Sequence, residues 1–269
     1  MKLFCEPRRA APVDCPYLPG RLFVQDYFFA AELDEYEFDV LLSAGWRRFG
    51  RFFFRPNCPS CRLCIPLRVD VERLKPTRSQ RRVLAKARRI VMTSGAPDPR
   101  DEVWHVYRSH TEGRFDRVPD RKDFERTFFD DAVPSMQTEY RLDGELIAVG
   151  FLDRSSGGMS SAYFAFDPRW SRYSPGVLSV FRESDCVQSS GLAWYYLGYW
   201  VPGCPSMEYK GRFGPHQLLE WDSGEWVDPD AHSYQDVLES DVDAVEGQKP
   251  DSLPSMESPG LIDGDEQAE

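Results

Sequence analysis

Apolar positions in the segment AAELDEYEFDVLLSAG recur at helical spacing: Leu33, Tyr36, Val40 and Leu41 fall on one face and Gly45 follows as a stop. A helix is predicted there. Two short apolar runs, Phe52 to Phe54 and Ile65 to Val69, predict strands on either side of a cysteine-bearing turn. Ser79 then caps a basic helix predicted to run to about Ile90, and the stretch SGAPDPRDE around position 97 has the composition of a linker between two units. Past the linker, helical patterning over about 101–110 and 123–129 gives way to three strands near 136–142, 145–152 and 159–166. Asp143-Gly144 joins the first two as a hairpin signal. A helix over about 176–189 and an aromatic strand over 192–200 complete the pattern. Helices, an antiparallel meander, a helix and a closing strand predict an α+β fold. The division expected is an N-terminal cysteine-containing domain over 1–95 and a second domain over 96–229.

After Asp228 the periodicity stops, and the sequence becomes acidic and rich in Ser, Pro and Gly, so 230–269 is expected to be a disordered tail. Charge sharpens this division. The whole chain carries a net charge of −11, but Glu220 to Glu269 holds 16 acids and one base, leaving residues 1–219 slightly basic with 32 bases and 28 acids. The acidic balance therefore belongs to the tail and does not argue against an anionic partner for the folded part. With 269 residues, 41% of them hydrophobic, the chain is long enough for one large or two ordinary cores. It has no apolar run long enough for a membrane helix and no apolar stretch near its start, so a soluble cytoplasmic protein is expected. Seven cysteines, an odd number, point to a reducing compartment rather than a disulfide framework.

The candidate chemistry concentrates between Arg55 and Arg89. Cys58, Cys61 and Cys64 are spaced so that a tight turn can aim successive sulfurs at one zinc ion or iron–sulfur cluster, with Cys15 as a fourth ligand. Three reduced thiols packed as small apolar residues are the other reading. From Arg73 to Arg89 there are eight basic residues, six of them Arg, and no acid. Such a run reads either as a solvated helix face or as a phosphate-binding surface, and the preference for Arg, whose planar fork binds phosphate through two hydrogen bonds, favours the second. No Walker loop, dinucleotide-binding glycine pattern or His-Glu-x-x-His helix is present, which disfavours several common enzymes.

Seven segments, taken together and in order, resemble the aminoacyl-tRNA–protein transferases of the N-end rule, the arginyl/leucyl aminoacyltransferase family, close to its aspartate/glutamate leucyltransferase branch. They are CPYLPG from Cys15, GWRRFG from Gly45, CRLCIPLR from Cys61, TRSQRR from Thr77, YFAFDP from Tyr163, GLAWYYLGYW from Gly191 and MEYKGRF from Met207. The resemblance implies transfer of leucine from leucyl-tRNA to the N-terminal α-amine of proteins beginning with Asp or Glu, which creates a degradation signal. It also implies a GNAT-like second domain. The sequence departs from the wider family at Leu18, where the arginyl branch has a second cysteine, and at Ser109 and Phe166. Leu18 puts a four-thiolate cluster of Cys15, Cys58, Cys61 and Cys64 in question.

Aminolysis of an activated ester needs no cofactor, only a positioned neutral amine, oxyanion stabilisation and help for the leaving oxygen. The residues expected to supply these are Asp167 as base and Tyr163 and Tyr199 as hydrogen-bond donors. Lys210, backed by Arg78, Gln80 and Arg81, is expected to hold the acceptor carboxylate, and Arg82, Lys86, Arg88 and Arg89 the tRNA acceptor stem. His105, His110 and His216 are isolated and read as structural. Three other functions compete. An arginine donor would keep the chemistry and the acceptors. An acetyl-CoA acyltransferase on the same fold needs a pyrophosphate loop after the third strand, where the chain reads DPRWSRYSPGV instead. An RNA-binding module leaves the second unit unexplained.

Overall fold

The computed structural model describes residues 2–229; the tail expected over 230–269 lies outside the described residues. Four short strands come first: β1 (Lys2–Leu3), β2 (Arg8–Arg9), β3 (Val13–Asp14) and β4 (Leu22–Phe23), the last two pairing around Cys15 and Leu18. Then come β5 (Gln25–Glu32), α1 (Glu35–Ser43), β6 (Arg47–Phe49) and β7 (Phe52–Pro56). They form a small antiparallel sheet in the order β1-β5-β7-β6, with β2 also on β5. Helix α1 starts at a reciprocal cap, in which Asp34 accepts from the Glu37 amide at 2.8 Å and Glu37 accepts from the Asp34 amide at 3.1 Å. Gly45 ends it at φ 82°, where a Cβ would stand 2.7 Å from the Trp221 ring. The buried stripe is Phe38 and Leu42, whereas Tyr36 and Val40 are 72% and 55% exposed, so the predicted face is rotated. Leu33 lies before the cap, outside the helix, and counting the helical phase from it turns Tyr36 and Val40 inward although both are exposed.

β8 (Ile65–Asp70), α2 (Arg78–Lys86) and β9 (Ile90–Gly95) lead into α3 (Asp101–Phe115) and α4 (Arg121–Phe128). β10 (Ser135–Leu142), β11 (Glu145–Arg154) and β12 (Gly158–Phe166) make the antiparallel meander, its first turn closed by Asp143 and Gly144 at φ 53° and 90°. After α5 (Pro175–Ser189) come β13 (Trp194–Trp200), α6 (Pro205–Glu208), β14 (His216–Leu219) and β15 (Trp226–Val227). The large sheet runs β15-β14-β8-β13-β12-β11-β10-β9. Strand β8 lies inside it, between β14 and β13, and β9 lies at its edge. The sequence before residue 95 thus supplies two strands to the sheet that the later residues build, and the boundary expected there does not separate two sheets. The near-continuous burial of Ile65, Pro66, Leu67 and Val69 is what an interior strand covered on both faces requires.

One face of this sheet takes α5, whose Leu178, Val180, Phe181 and Val187 are buried. Glu183, also buried there, accepts from Thr138 Oγ1 at 2.8 Å, Tyr140 OH at 3.1 Å and Tyr195 OH, and burial lifts its carboxyl to about 7. The other face takes α3 and α4, through Val103, Phe124 and Phe128 on Val149 and Phe151, and the small sheet, through Phe28, Trp46 and Phe53 with Tyr196.

Helix α2 is capped by Thr77, not Ser79: Thr77 Oγ1 accepts from the Gln80 amide at 3.3 Å and Gln80 Oε1 accepts from the Thr77 amide at 2.8 Å. It stops at Lys86 because Ile90 already belongs to β9. Thr77→Ala should lower stability by about 1 kcal/mol in urea denaturation, the ordinary cost of a lost cap.

Candidate active site where two parallel strands part

β12 and β13 are parallel, and they pair only over Gly158–Ser160 and Trp194–Tyr196. Beyond these positions their pairing ends, and a register shift between Tyr196 and Gly198, with Gly198 at φ 81°, bends β13 away on its other side. A parting of this kind opens a crevice at the carboxyl ends of the two strands, a usual place for a ligand in α/β sheets. Strand β6, from the small sheet, lies against β12 there.

The two arginines of β6 have opposite fates. Arg48 Nη2 donates to Asp131 Oδ1 at 3.0 Å, Ser135 Oγ at 2.6 Å and the Asp153 carboxylate, and Nη1 donates to Gly50 O at 2.8 Å. This pins the small sheet to the ends of β10 and β11. Arg47 is 5% exposed, and Nη1 donates to Trp46 O at 2.7 Å. Its guanidinium carbon lies 5.6 Å from the Tyr196 ring centre and 5.5 Å from that of Tyr199. Among the described residues, Nε and Nη2 of Arg47 have no hydrogen-bond partner.

Lys210 stands on the far side of Tyr199. As a residue it is only half-buried, but Nζ turns inward and donates to Tyr199 O at 3.1 Å. Enclosure, then the neighbouring charge of Arg47, pulls its pKa down to about 7. Two cationic groups thus share a closed environment. A third, Arg68, is sandwiched at 3.9 Å from the Trp194 ring centre and 4.4 Å from that of Trp226, and Gln217 Oε1 accepts from it at 2.7 and 3.1 Å.

The other expected site residues fall into three groups. Asp167 caps the 3₁₀ turn Pro168–Tyr173 by accepting from the Arg169 amide at 3.0 Å, and takes two further bonds from the Arg169 guanidinium at 2.8 and 2.6 Å. Burial pushes its carboxyl up, but Arg169 outweighs that and leaves the pKa below the usual range, so Asp167 is a cap and ion-pair partner and a poor proton acceptor. Tyr199 is buried with its hydroxyl already donated to Gly45 O at 2.9 Å, and Tyr163 packs against Tyr107 and Phe128 of the aromatic core. Burial raises both phenols far above the usual range. In this geometry the Tyr199 hydroxyl is not a free donor to an ester. His110, expected to be structural, is buried against the backbone of Phe166, which it meets at 3.0 Å, and burial lowers its pKa to about 4.

Gln80 is buried too. Beyond its capping role, Nε2 donates to Arg212 O at 3.0 Å, which ties the first turn of α2 to the Tyr209–Arg212 turn that carries Lys210. Arg78, Arg81, Arg82, Lys86, Arg88 and Arg89 are all exposed, so α2 presents a basic surface beginning beside the Lys210 segment. Arg89 is paired with Asp143 at 2.5 Å and Arg81 donates to Pro76 O at 2.8 Å.

Cys15, Cys58, Cys61 and Cys64 line one small pocket with Leu18, Phe23 and Trp221. Cys58 Sγ lies 3.4 Å from the Val24 amide and 3.6 Å from the Val24 carbonyl oxygen, and burial raises the Cys58 and Cys64 thiols. Among the described residues no group of three or more His, Cys, Asp or Glu side chains is placed to hold a metal ion. As arranged, the four are thiols gathered in apolar packing.

Models of the arginine-tRNA-protein transferase N terminus and C terminus match residues 13–82 and 101–220. The chain belongs to this family. Aspartate/glutamate leucyltransferase of Chromobacterium violaceum is 34% identical over 222 residues, covering 80% of this chain and 90% of that one. The enzyme of the same name from Thiobacillus denitrificans is also 34% identical over 222 residues, with 80% and 91% covered. That of Dinoroseobacter shibae is 31% identical over 271 residues, with 91% and 93% covered. Among solved structures, FemX overlays with a TM-score of 0.46 at 10% identity, covering 77% of this chain and 83% of that one, a likeness too slight to bear on the chemistry. Sequence reasoning gave no place to Arg47, which the structure buries with two donors unpartnered. Its signal was the doubled arginine between Trp46 and Phe49, since adjacent strand residues face opposite ways and both were set among apolar neighbours.

Proposed function

We propose that the protein transfers leucine from leucyl-tRNA to the N-terminal α-amine of proteins beginning with Asp or Glu, so marking them for degradation, and that it works in the cytoplasm, where charged tRNA is made. The observation that carries this reading is the alignment with leucyltransferases along about nine-tenths of their length. Their names favour leucine over arginine as the donor. The parting of β12 and β13 supports a GNAT-like acyl-transfer domain. No helix of the described residues is long and apolar enough to cross a membrane.

In the reaction the acceptor nitrogen attacks the leucyl ester carbon, a C–N bond forms, the bond to the terminal ribose oxygen breaks, and the proton shed by the amine ends on that oxygen. An α-amine has a pKa near 8, so part of it is already neutral at pH 7, and the main demand on the protein is positioning, which contributes about 7–11 kcal/mol in well-oriented systems. Lys210 lends positive charge to the pocket that receives the acceptor's side-chain carboxylate, and exposed α2 takes the acceptor-stem phosphates.

Mass spectrometry of Asp-, Glu-, Arg- and Ala-initiated peptides, incubated with leucyl- or arginyl-tRNA, tests the reading. A gain of one leucine on the Asp and Glu peptides alone is expected; an arginine gain would move the donor, and no gain would reject the reaction.

The pH dependence follows from two opposed groups. The acceptor amine must be neutral, so kcat/KM rises with pH up to about 8, while Lys210 must be charged, and it loses its proton as pH rises through about 7. A narrow bell peaking between these values is expected. In Lys210→Met the alkaline limb should vanish and the acceptor KM should rise about tenfold; an unchanged alkaline limb would remove Lys210 from the site.

A further inference from the structure

We infer that Arg47 is the specificity-determining receptor for the acceptor's side-chain carboxylate, which enters between Tyr196, Tyr199 and Lys210 and takes the two unpartnered N–H groups of the Arg47 guanidinium. The inference rests on the transferase reading and names the residue that makes it selective for acidic N-termini. Nε and Nη2 lie along one edge of the planar guanidinium fork, the edge that a carboxylate meets with two parallel hydrogen bonds. That edge is free because Nη1 is the nitrogen spent on Trp46 O.

The surroundings suit an anion, and among the described residues no carboxylate is hydrogen-bonded to the Arg47 guanidinium. The rings of Tyr196 and Tyr199 flank the guanidinium, the Tyr199 hydroxyl is committed to Gly45 O, and Lys210 Nζ is bonded to Tyr199 O. The acid whose charge reaches Arg47, Asp153, is already engaged by Arg48 and Ser135. Cys64 and Cys204 are the other titratable groups near Lys210. An arginine stays protonated under these conditions, so the protein holds a buried positive charge whose loss of hydration is unmatched until a carboxylate arrives. A side-chain amide of Asn or Gln offers one acceptor oxygen and no charge, and its NH₂ would oppose the guanidinium donors. This favours acceptors with Asp or Glu at the N-terminus over their amide counterparts.

The same logic separates a recognition residue from a structural one. If Arg47 were a structural anchor, its removal would unfold the protein; if it awaits a ligand, an apolar side chain of similar length relieves the buried charge. The test measures equilibrium binding of Asp- and Asn-initiated pentapeptides to the full chain, wild type, Arg47→Met and Arg47→Gln, with leucyl-tRNA binding and thermal midpoint recorded for each. The wild type should prefer the Asp peptide about a hundredfold, and both variants should lose that preference with leucyl-tRNA binding unchanged. Arg47→Met should melt no lower than wild type. Variants that keep the preference, or that lose it only in step with a falling midpoint and tRNA affinity, would overturn the inference. Leucine transfer by the wild type is scored separately: intact transfer with unchanged preference in the variants rejects Arg47 alone, whereas no transfer with an Arg47-dependent preference rejects the transferase reading and leaves the carboxylate site standing.

Discussion

Arg48→Ala is expected to destabilise the protein by about 3–5 kcal/mol, because it strips a buried ion pair of one partner and leaves Asp153 in a dry setting. The Arg48 side chain is almost wholly buried, as is that of Asp153, and its donors also hold Asp131, Ser135 and the Gly50 carbonyl. Loss of the guanidinium would therefore leave several acceptors short at once and loosen the joint between β6 and the ends of β10 and β11. The measurement is urea denaturation with a parallel variant, Arg48→Met with Asp153→Leu, in which both charges go. The double variant should recover much of the loss, since replacing both members of a buried pair by apolar residues is often close to neutral. Equal destabilisation by the two would mean that packing, and not the uncompensated charge, dominates at this joint.

The second large effect concerns tRNA. Replacing Arg78, Arg81 and Arg82 together with Glu should weaken leucyl-tRNA binding about a hundredfold at physiological salt and reduce the slope of log affinity against log salt by about 2–3, one unit or slightly less per lost phosphate contact. All three are exposed on the first turns of α2, and Gln80 and the Thr77 cap fix that end of the helix beside the Lys210 segment. An unchanged salt slope would take the tRNA surface off α2.

Much of this architecture was legible from periodicity because its elements are local. The meander β10-β11-β12, the Asp143-Gly144 turn and helix α5 stand within a few residues of where alternation and turn chemistry put them. The placement of β8 was not legible. Alternation announces a strand but is silent about its neighbours, and β8 finds them in β13 and β14, far along the chain. Site residues divided on the same ground. Exposure of the α2 arginines could be read from their density, whereas the tie of Asp167 to Arg169, which folds back onto it, is a rotamer-level fact. The engagement of the Tyr199 hydroxyl by a backbone carbonyl from before β6 was equally out of reach. Arg47 was missed because an orphaned donor exists only once every neighbour has been placed.

The interior position of β8 also governs how the chain can be made. As it is synthesised, Ile65–Asp70 leaves the ribosome long before Trp194–Trp200 and His216–Leu219, the strands that flank it in the sheet, and at ordinary elongation rates the wait is on the order of ten seconds. For that interval an apolar strand has neither edge satisfied, and the nascent chain carries an aggregation-prone segment. Completion of the sheet is thereby tied to completion of translation: a truncated product lacking the last strands cannot close around β8.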